Sequence, residues 1–283
     1  MEWDRVAVTI HGYTRDELLA MDVNSLRGVL HERTHHTIEV QLYRILKGTM
    51  AKPKNFGSQA KFLLDVWRER TLPTDTPDLQ WCIKMIEIAE KLNASIPVTL
   101  ETALPEPFSN TSMEVVRKLL YGRRSIRQFT DRPVPDEMLR EIMYAGLMAP
   151  QGCNVASTRF IVLRSPEEWR LVRSDIPIEN GVMVLICQDL RVYKTLRFDQ
   201  FVPQNIYYDA AAAADHMCLM AHALGLGACW LTHGTETQKR IRELFRLPET
   251  FITRCHLIIG WPDEAPIKSQ RMRLDDAVIK KTK

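Results

Sequence analysis

No two of the six cysteines (Cys82, Cys153, Cys187, Cys218, Cys229 and Cys255) have the Cys-x-x-Cys spacing. Iron–sulfur and zinc-ribbon readings therefore lack their ligand frame. Several of these thiols sit in apolar runs, where cysteine behaves as a small hydrophobe, and a reducing cytoplasm is the simplest setting for them. Charge of one sign is also missing. The 38 Lys and Arg against 35 Asp and Glu leave a net charge of +3, too little to argue for nucleic acid or an anionic membrane surface as partner. Residues 1–11 hold no long apolar stretch, so neither a signal peptide nor a membrane span is expected there. The most apolar long segment, residues 210–226, is interrupted by Asp215, His216 and His222 and reads as a helix buried in a globular protein. No fixed-period repeat and no low-complexity tract is visible.

What is present is the profile of an ordinary globular chain: 283 residues, 45% hydrophobic and 26% charged, ample for a buried core. Two regions are expected. Residues 1–110 read as a helical N-terminal extension and linker. Thr14 with Glu17 is a capping-box pattern; Ile38, Leu42, Ile45 and Leu46 follow helical spacing; Ser58 is placed to cap a helix carrying Phe62, Leu63, Val66 and Trp67; Pro77 opens another that runs to Asn93. Three prolines between Pro97 and Asn110 mark the linker. Residues 111–283 alternate helix (112–121, 135–148, 166–174, 206–224, 236–246) with strand (158–164, 181–188, 227–232, 253–260), an α/β or α+β pattern.

Two basic clusters stand out. Arg123-Arg124-Ser125-Ile126-Arg127 places three guanidinium groups and a hydroxyl within five residues, and the guanidinium fork matches phosphate oxygens bidentately. In an extended segment Arg123, Ser125 and Arg127 point to one side. The cluster reads equally as a phosphate site and as a solvated basic turn. The second, Lys268-Ser269-Gln270-Arg271-Met272-Arg273, is weak alone, but together the two suggest a phosphate held from both ends of the domain.

In order along the chain, Arg123-Arg124-Ser125-Ile126-Arg127-Gln128-Phe129, Val134-Pro135, Ala149-Pro150-Gln151-Gly152-Cys153-Asn154, Ala223-Leu224-Gly225-Leu226-Gly227-Ala228-Cys229-Trp230, Leu247-Pro248, Ile258-Ile259-Gly260-Trp261-Pro262 and Arg271-Met272-Arg273-Leu274 resemble the motifs of the nitroreductase family over roughly residues 112–278. The resemblance implies an α+β fold, an α/β sandwich with a mixed, mainly antiparallel sheet, here carrying the helical extension. It implies an intertwined homodimer with two FMN sites at the subunit interface, NADH or NADPH as electron donor, and ping-pong reduction of a nitroaromatic, quinone, activated alkene or halogenated aromatic. By that resemblance Arg123, Arg124, Ser125 and Arg127 hold the FMN phosphate, ribityl chain and ring edge, and Arg271 and Arg273 return to the phosphate. Pro150, Gln151, Gly152 and Asn154 approach the ring from the partner subunit, and the backbone around Leu231, Thr232 and His233 faces the ring's reactive edge. Arg127 and Thr232 support the ring; no acid–base side chain is required, because the flavin carries the chemistry. The segment 188–204, with Arg191, Tyr193, Lys194 and Phe201, lies where the family covers its substrate; an exposed loop or dimer contact is its plainer reading.

The chain departs from the family in having Gln151 where Ser is frequent, and Asn154-Val155-Ala156-Ser157-Thr158 where Asn-x-Gln-Pro-Trp is frequent, which weakens any transfer of substrate preference. Gly225 and Gly227 suit a helix stop and a close backbone approach. Other readings stay open: a flavin-fragmenting enzyme, a non-enzymatic FMN-binding protein, or a zinc hydrolase on His31-Glu32-Arg33-Thr34-His35, which matches His-Glu-x-x-His. Against the last, no clear third ligand follows, His36 being merely adjacent.

Overall fold

The computed structural model describes residues 5–8, 11–100 and 107–279; the centre of the expected linker, 101–106, lies outside the described residues. The strands β1 (Arg5–Val8) and β2 (His11–Thr14) pair antiparallel. Thr14 then opens α1 (Arg15–Ala20) through the expected capping box, its side chain accepting the Glu17 N–H while Glu17 returns to the Thr14 N–H. Asp22 caps α2 (Val23–Thr34) by accepting the backbone N–H groups of Asn24 and Ser25, each at 3.1 Å. A π-helical turn, His35–Glu39, joins α2 to α3 (Val40–Leu46). α4 (Ser58–Glu69) begins differently from expectation: Gly57, at φ 75°, occupies the cap, and Ser58 is the first helical residue, its hydroxyl donating to the Asn55 carbonyl. α5 (Pro77–Asn93) starts on its proline, whose missing N–H has no partner to lose there.

The rest of the chain builds the sandwich. In order it forms α6 (Asn110–Gly122), α7 (Asp136–Leu147), β3 (Thr158–Leu163), α8 (Pro166–Arg170), β4 (Val182–Asp189), α9 (Leu190–Thr195), α10 (Phe198–Phe201), α11 (Asn205–Ala223), β5 (Gly227–Thr232), α12 (Thr235–Phe245), β6 (Phe251–Gly260) and α13 (Leu274–Ala277). The sheet order is β3-β4-β6-β5, every neighbouring pair antiparallel. Ser125 makes one isolated parallel bridge to Ala228 at the outer edge of β5; the four-stranded sheet itself is antiparallel throughout. All eight residues of β4 are buried, which is why Val182–Cys187 is a continuous apolar run without alternation; Gln188 and Asp189, also buried, end the strand. Val182, Val184 and Ile186 pack under α7 and α11; Met183, Leu185 and Cys187 pack with Trp169 and Ile241 on the other face.

The segment 188–204 is not an open loop. Asp189 accepts the Arg191 N–H and caps α9. Val192, Tyr193, Leu196 and Phe198 then sink into the apolar cluster of α2, α4 and α5. The helical extension and the sandwich therefore share a core across this segment.

Candidate functional site

α6 ends at Gly122 and the chain leaves it extended. Ile126 and Phe129 turn inward and are buried, while Arg124 and Arg127 stay exposed and Arg123 and Ser125 half-buried. Two contacts set the position of this segment. The Ile126 N–H donates to the Ala228 carbonyl at 3.1 Å, and the Glu264 carboxylate accepts the backbone N–H groups of Arg127 and, at 3.2 Å, Gln128. The strand beneath comes close enough that a Cβ on Gly227 would lie 2.6 Å from Ile126 Cβ, so glycine is required there. Upstream, Gly225 (φ 79°) closes α11: its N–H donates to His222 O and the Leu226 N–H to Ala221 O at 2.8 Å. These are the two bonds of a Schellman stop, which aims the chain into β5.

A cleft of about 480 Å³ opens between this segment and residues 266–271. Arg123, Arg124, Ser125 and Arg127 line one wall, and Lys268, Ser269 and Arg271 the other. The two basic clusters thus meet. Among the described residues, none of these five cations is bridged to a carboxylate side chain. Like charges gathered around one cleft repel one another until an anion arrives; with two serine hydroxyls beside them they form a donor set suited to a phosphate dianion. Leu120, Tyr121, Pro266 and Ile267 add apolar surface. Arg273, in contrast, does not line the cleft. It pairs with Asp276 at 2.9 and 3.0 Å at the start of α13.

The other expected site residues fall elsewhere. Pro150, Gln151, Gly152 and Asn154 form a tight turn outside this cleft, with Cys153 (φ 53°), Asn154 (φ 52°) and Ala156 (φ 50°) all in the left-handed region. Each such non-glycine residue costs about 1–2 kcal/mol, so the surroundings must impose it. Asp209, buried in α11, does so: one carboxylate oxygen accepts the Gly152 N–H at 2.8 Å and the other the Tyr193 hydroxyl. Burial raises its carboxyl pKa, and these two hydrogen bonds work against that. Leu231 and Thr232 end the edge strand β5, the Thr232 carbonyl accepting from Arg173 at 2.9 Å. The His233 ring turns inward. Its Nδ1 lies 3.1 Å from that of His256, and its Nε2 lies 3.1 Å from Thr253 Oγ1. Burial pushes His233 down to about 4 and His256 down to about 3, so both rings are neutral near pH 7, and the His233 backbone N–H already donates to the Arg254 carbonyl at 3.0 Å.

Of the four residues expected to cover a substrate, Tyr193 is fully buried and hydrogen-bonded to Asp209, which removes it from contact with a substrate. Arg191 is bound to Asp189 at 2.7 Å and lies 3.5 Å from Asp22, fastening α9 to the start of α2. Lys194 and Phe201 are exposed. The side chains of the His-Glu-x-x-His run are engaged separately: His31 is buried against Asp78 at 3.0 Å, His35 pairs with Glu39 at 2.7 Å, and Glu32 is held by Arg33 and His36. No three His, Cys, Asp or Glu side chains among the described residues converge to hold a metal.

The fold and cleft can now be set beside known proteins. A family model described as the nitroreductase family matches residues 120–180 and 166–261. The chain belongs to the nitroreductase family. A provisionally named NADH dehydrogenase/NAD(P)H nitroreductase of Archaeoglobus fulgidus is 30% identical over 159 residues, covering 54% of this chain and 88% of the relative. An FMN reductase [NAD(P)H] of Bacillus subtilis is 27% identical over 177 residues, covering 56% of this chain and 71% of that protein. Among solved structures, a nitroreductase family protein of Clostridium difficile 630 superposes with a TM-score of 0.50 at 26% identity, over 58% of this chain and 97% of that one. The family match ends where the sandwich ends, so the helical extension stands outside it. Among the described residues, no helix of this nitroreductase family member is long and apolar enough to cross a membrane.

Asp209, which holds the 150–154 turn, was missed by the sequence. Asp209 left a signal, since a carboxylate opening an alanine-rich helix has to be held by something.

Proposed function

We propose that the basic cleft is the FMN phosphate site and that the protein acts as a homodimeric FMN-dependent oxidoreductase. In this reading it takes hydride from NADH or NADPH and passes it, in ping-pong fashion, to a small organic acceptor such as a nitroaromatic, a quinone, an activated alkene or a halogenated aromatic. One observation carries the reading: five cations from two distant stretches, none bridged to a carboxylate, face one concavity of cofactor size. The residues fit the group. Arg123, Arg124, Lys268 and Arg271 supply the charge-assisted donors for a phosphate, Ser125 and Ser269 the hydroxyls, and Tyr121 and Ile267 an apolar wall.

Bound FMN supplies the hydride chemistry; the protein supplies position and field. Arg127 places a fixed cation where negative charge develops, and the outer edge of β5 beyond Ala228, through Thr232, offers backbone N–H groups without reorganisation. The 150–154 turn lies outside the protomer's own cleft, in keeping with its delivery to the partner's ring. α6 has no buried residue, and its Val115 (63% exposed) and Tyr121 (62%) lie with Tyr144 and Met148 as large exposed apolar side chains. Apolar surface on that scale suits a subunit interface. With all six thiols free, a reducing cytoplasm is the proposed compartment.

Purified protein should be yellow, and stripped protein should rebind FMN, with Arg123→Ala weakening that affinity through the lost phosphate contact. A colourless preparation that fails to take up added FMN would sink the reading. FMN uptake without turnover by any donor would leave a binding protein, and breakdown of the flavin under oxygen a fragmenting enzyme.

A further inference from the structure

The helical extension reaches the turn at residues 150–156 from behind. α2 packs on α9 so closely that a Cβ on Gly28 would lie 2.2 Å from Val192 Cγ1. Next to Val192, Tyr193 is fully buried in the apolar core of α2, α4 and α5. From there its hydroxyl donates to one Asp209 carboxylate oxygen, and the other oxygen accepts the Gly152 N–H at 2.8 Å. A second link lies at the far end of the turn. One terminal nitrogen of the Arg159 guanidinium donates to the Ala156 carbonyl at 2.7 Å and to the Thr158 carbonyl at 2.9 Å. The other lies 3.5 Å from Asn24 Oδ1 in the first turn of α2. Between the two links, Val155 is fully buried in the same apolar core.

We propose that the helical extension is a positioning element for this turn, acting through Asp209 and Arg159, and that it thereby sets how a small acceptor is held beside the flavin ring. The proposal rests on the reading that the turn meets the partner's ring. Its physical reason lies in the backbone. Cys153, Asn154 and Ala156 take left-handed φ values of 53°, 52° and 50°, which L-residues leave when nothing holds them there. Hydrogen bonding inside the turn is thin: the Asn154 N–H reaches Gln151 O at 3.2 Å and the Val155 N–H reaches Gly152 O at 3.4 Å. Bonds of that length do not hold three strained residues by themselves. The carboxylate behind Gly152, the guanidinium over Ala156 and the buried Val155 do so, and all three lead to the extension.

Both links use a charged group to grip neutral backbone, which makes each hydrogen bond roughly twice as strong as one between neutral partners. Both also have two ends. The Asp209 carboxylate offers one oxygen to the turn and one to the Tyr193 hydroxyl, and the Arg159 fork offers donors to the turn and towards Asn24. Each planar group therefore joins the turn to the extension without a flexible spacer. Asp209, Arg159 and Tyr193 do not line the basic cleft, so they act on placement and leave the phosphate contacts alone. Pro150, at the head of the turn, stays exposed and is free to meet a partner subunit.

The test uses the FMN-loaded protein, with NADH or NADPH as donor and 1,4-benzoquinone as acceptor. Hydrogen exchange read by mass spectrometry reports the turn directly. The peptide covering residues 148–158 should exchange roughly tenfold faster in Asp209→Leu and in Arg159→Met, each of which loses a charge-assisted bond, and Asp209→Asn should restore the protection. In Asp209→Leu the kcat/KM for the quinone, per bound flavin, should fall roughly tenfold, chiefly through KM, and should recover in Asp209→Asn. Tyr193→Phe keeps the ring and breaks only the link from the shared core to Asp209. It should move exchange and KM in the same direction, and it decides the matter should Asp209→Leu fail to fold. Unchanged exchange in Tyr193→Phe and Arg159→Met overturns the proposal. Faster exchange with an unchanged kcat/KM per flavin also overturns it, leaving these residues a role in stability alone. Exchange is read on the FMN-free protein as well, so failure of the links and failure of FMN binding are separate results.

Discussion

Gly227→Ala touches no atom of the proposed ligand, yet it should weaken FMN binding. The added methyl would meet Ile126 at 2.6 Å from Cβ, 2.7 Å from Cγ1 and 2.8 Å from Cγ2, distances at which something must move. Ile126 cannot simply rotate away, because its own Cβ is the nearest atom and its N–H is tied to Ala228 O at 3.1 Å. Either the overpacking strain stays, or residues 125–127 lift off β5 and carry the basic wall of the cleft with them. Overpacking of this kind costs about 1–3 kcal/mol. If the apo protein relieves it by displacing the segment, FMN must restore the segment on binding, and Kd rises roughly 5- to 150-fold. If the strain stays, the apo protein loses the same energy, and each kcal/mol lowers Tm by about 2–4 °C for a chain of this order of size. FMN titration by flavin fluorescence and thermal unfolding of the apo protein measure the two shares, which should sum to the strain. Gly225→Ala is the control: it suffers the left-handed φ of 79° but has open space within 4 Å, so it should lose about 1 kcal/mol of stability with FMN affinity unchanged. Unchanged stability together with unchanged affinity for Gly227→Ala would refute the claim that the β5 contact positions the cleft.

Arg271→Ala should raise the FMN Kd by roughly tenfold or more and flatten its salt dependence, since a charge-assisted bond is worth about 1.5–3 kcal/mol; Arg273→Ala, outside the cleft and paired with Asp276, should leave Kd within about twofold. His233 and His256 titrate near 4 and 3 when folded and near 6.5 when unfolded. The unfolded chain therefore binds more protons between these values. The pair's stability contribution is complete above about pH 6.5 and is lost as pH falls towards 3. Urea unfolding at pH 7 and at about pH 4.5 should show that loss, and His256→Phe should flatten it; an equal pH slope in the variant counts against the assignment. Asp209→Leu strands the Gly152 N–H and the Tyr193 hydroxyl and should cost roughly 2–6 kcal/mol at 1–3 per group, whereas Asp209→Asn, able to serve both, should cost much less, as judged by denaturant midpoints.

The sandwich was legible because its strands carry their own signal. β4 is apolar from Val182 to Cys187 since both faces are covered, and β5 is announced by Gly225 closing α11 and Gly227 admitting Ile126. The basic cleft was half legible. Three guanidiniums in five residues show in any reading, but only folding brings residues 268–271 opposite them and turns Arg273 towards Asp276. Segment 188–204 was misread because its order comes from outside it: Val192, Tyr193 and Phe198 read as loop residues until the helical extension provides the core that buries them. The His31–His35 run illustrates the converse. Its letters satisfy a metal motif, while Asp78, Glu39, Arg33 and His36 occupy its side chains. Contacts such as His31 with Asp78 join residues far apart in the chain and leave no trace in local spacing.

The most direct test of the central claim is anaerobic mixing of the FMN-loaded protein with NADH or NADPH, followed by absorbance of the flavin band. The account predicts that one or both donors bleach it, and that an added nitroaromatic or quinone then restores it in a separate half-reaction. A bound flavin that neither donor bleaches would contradict it.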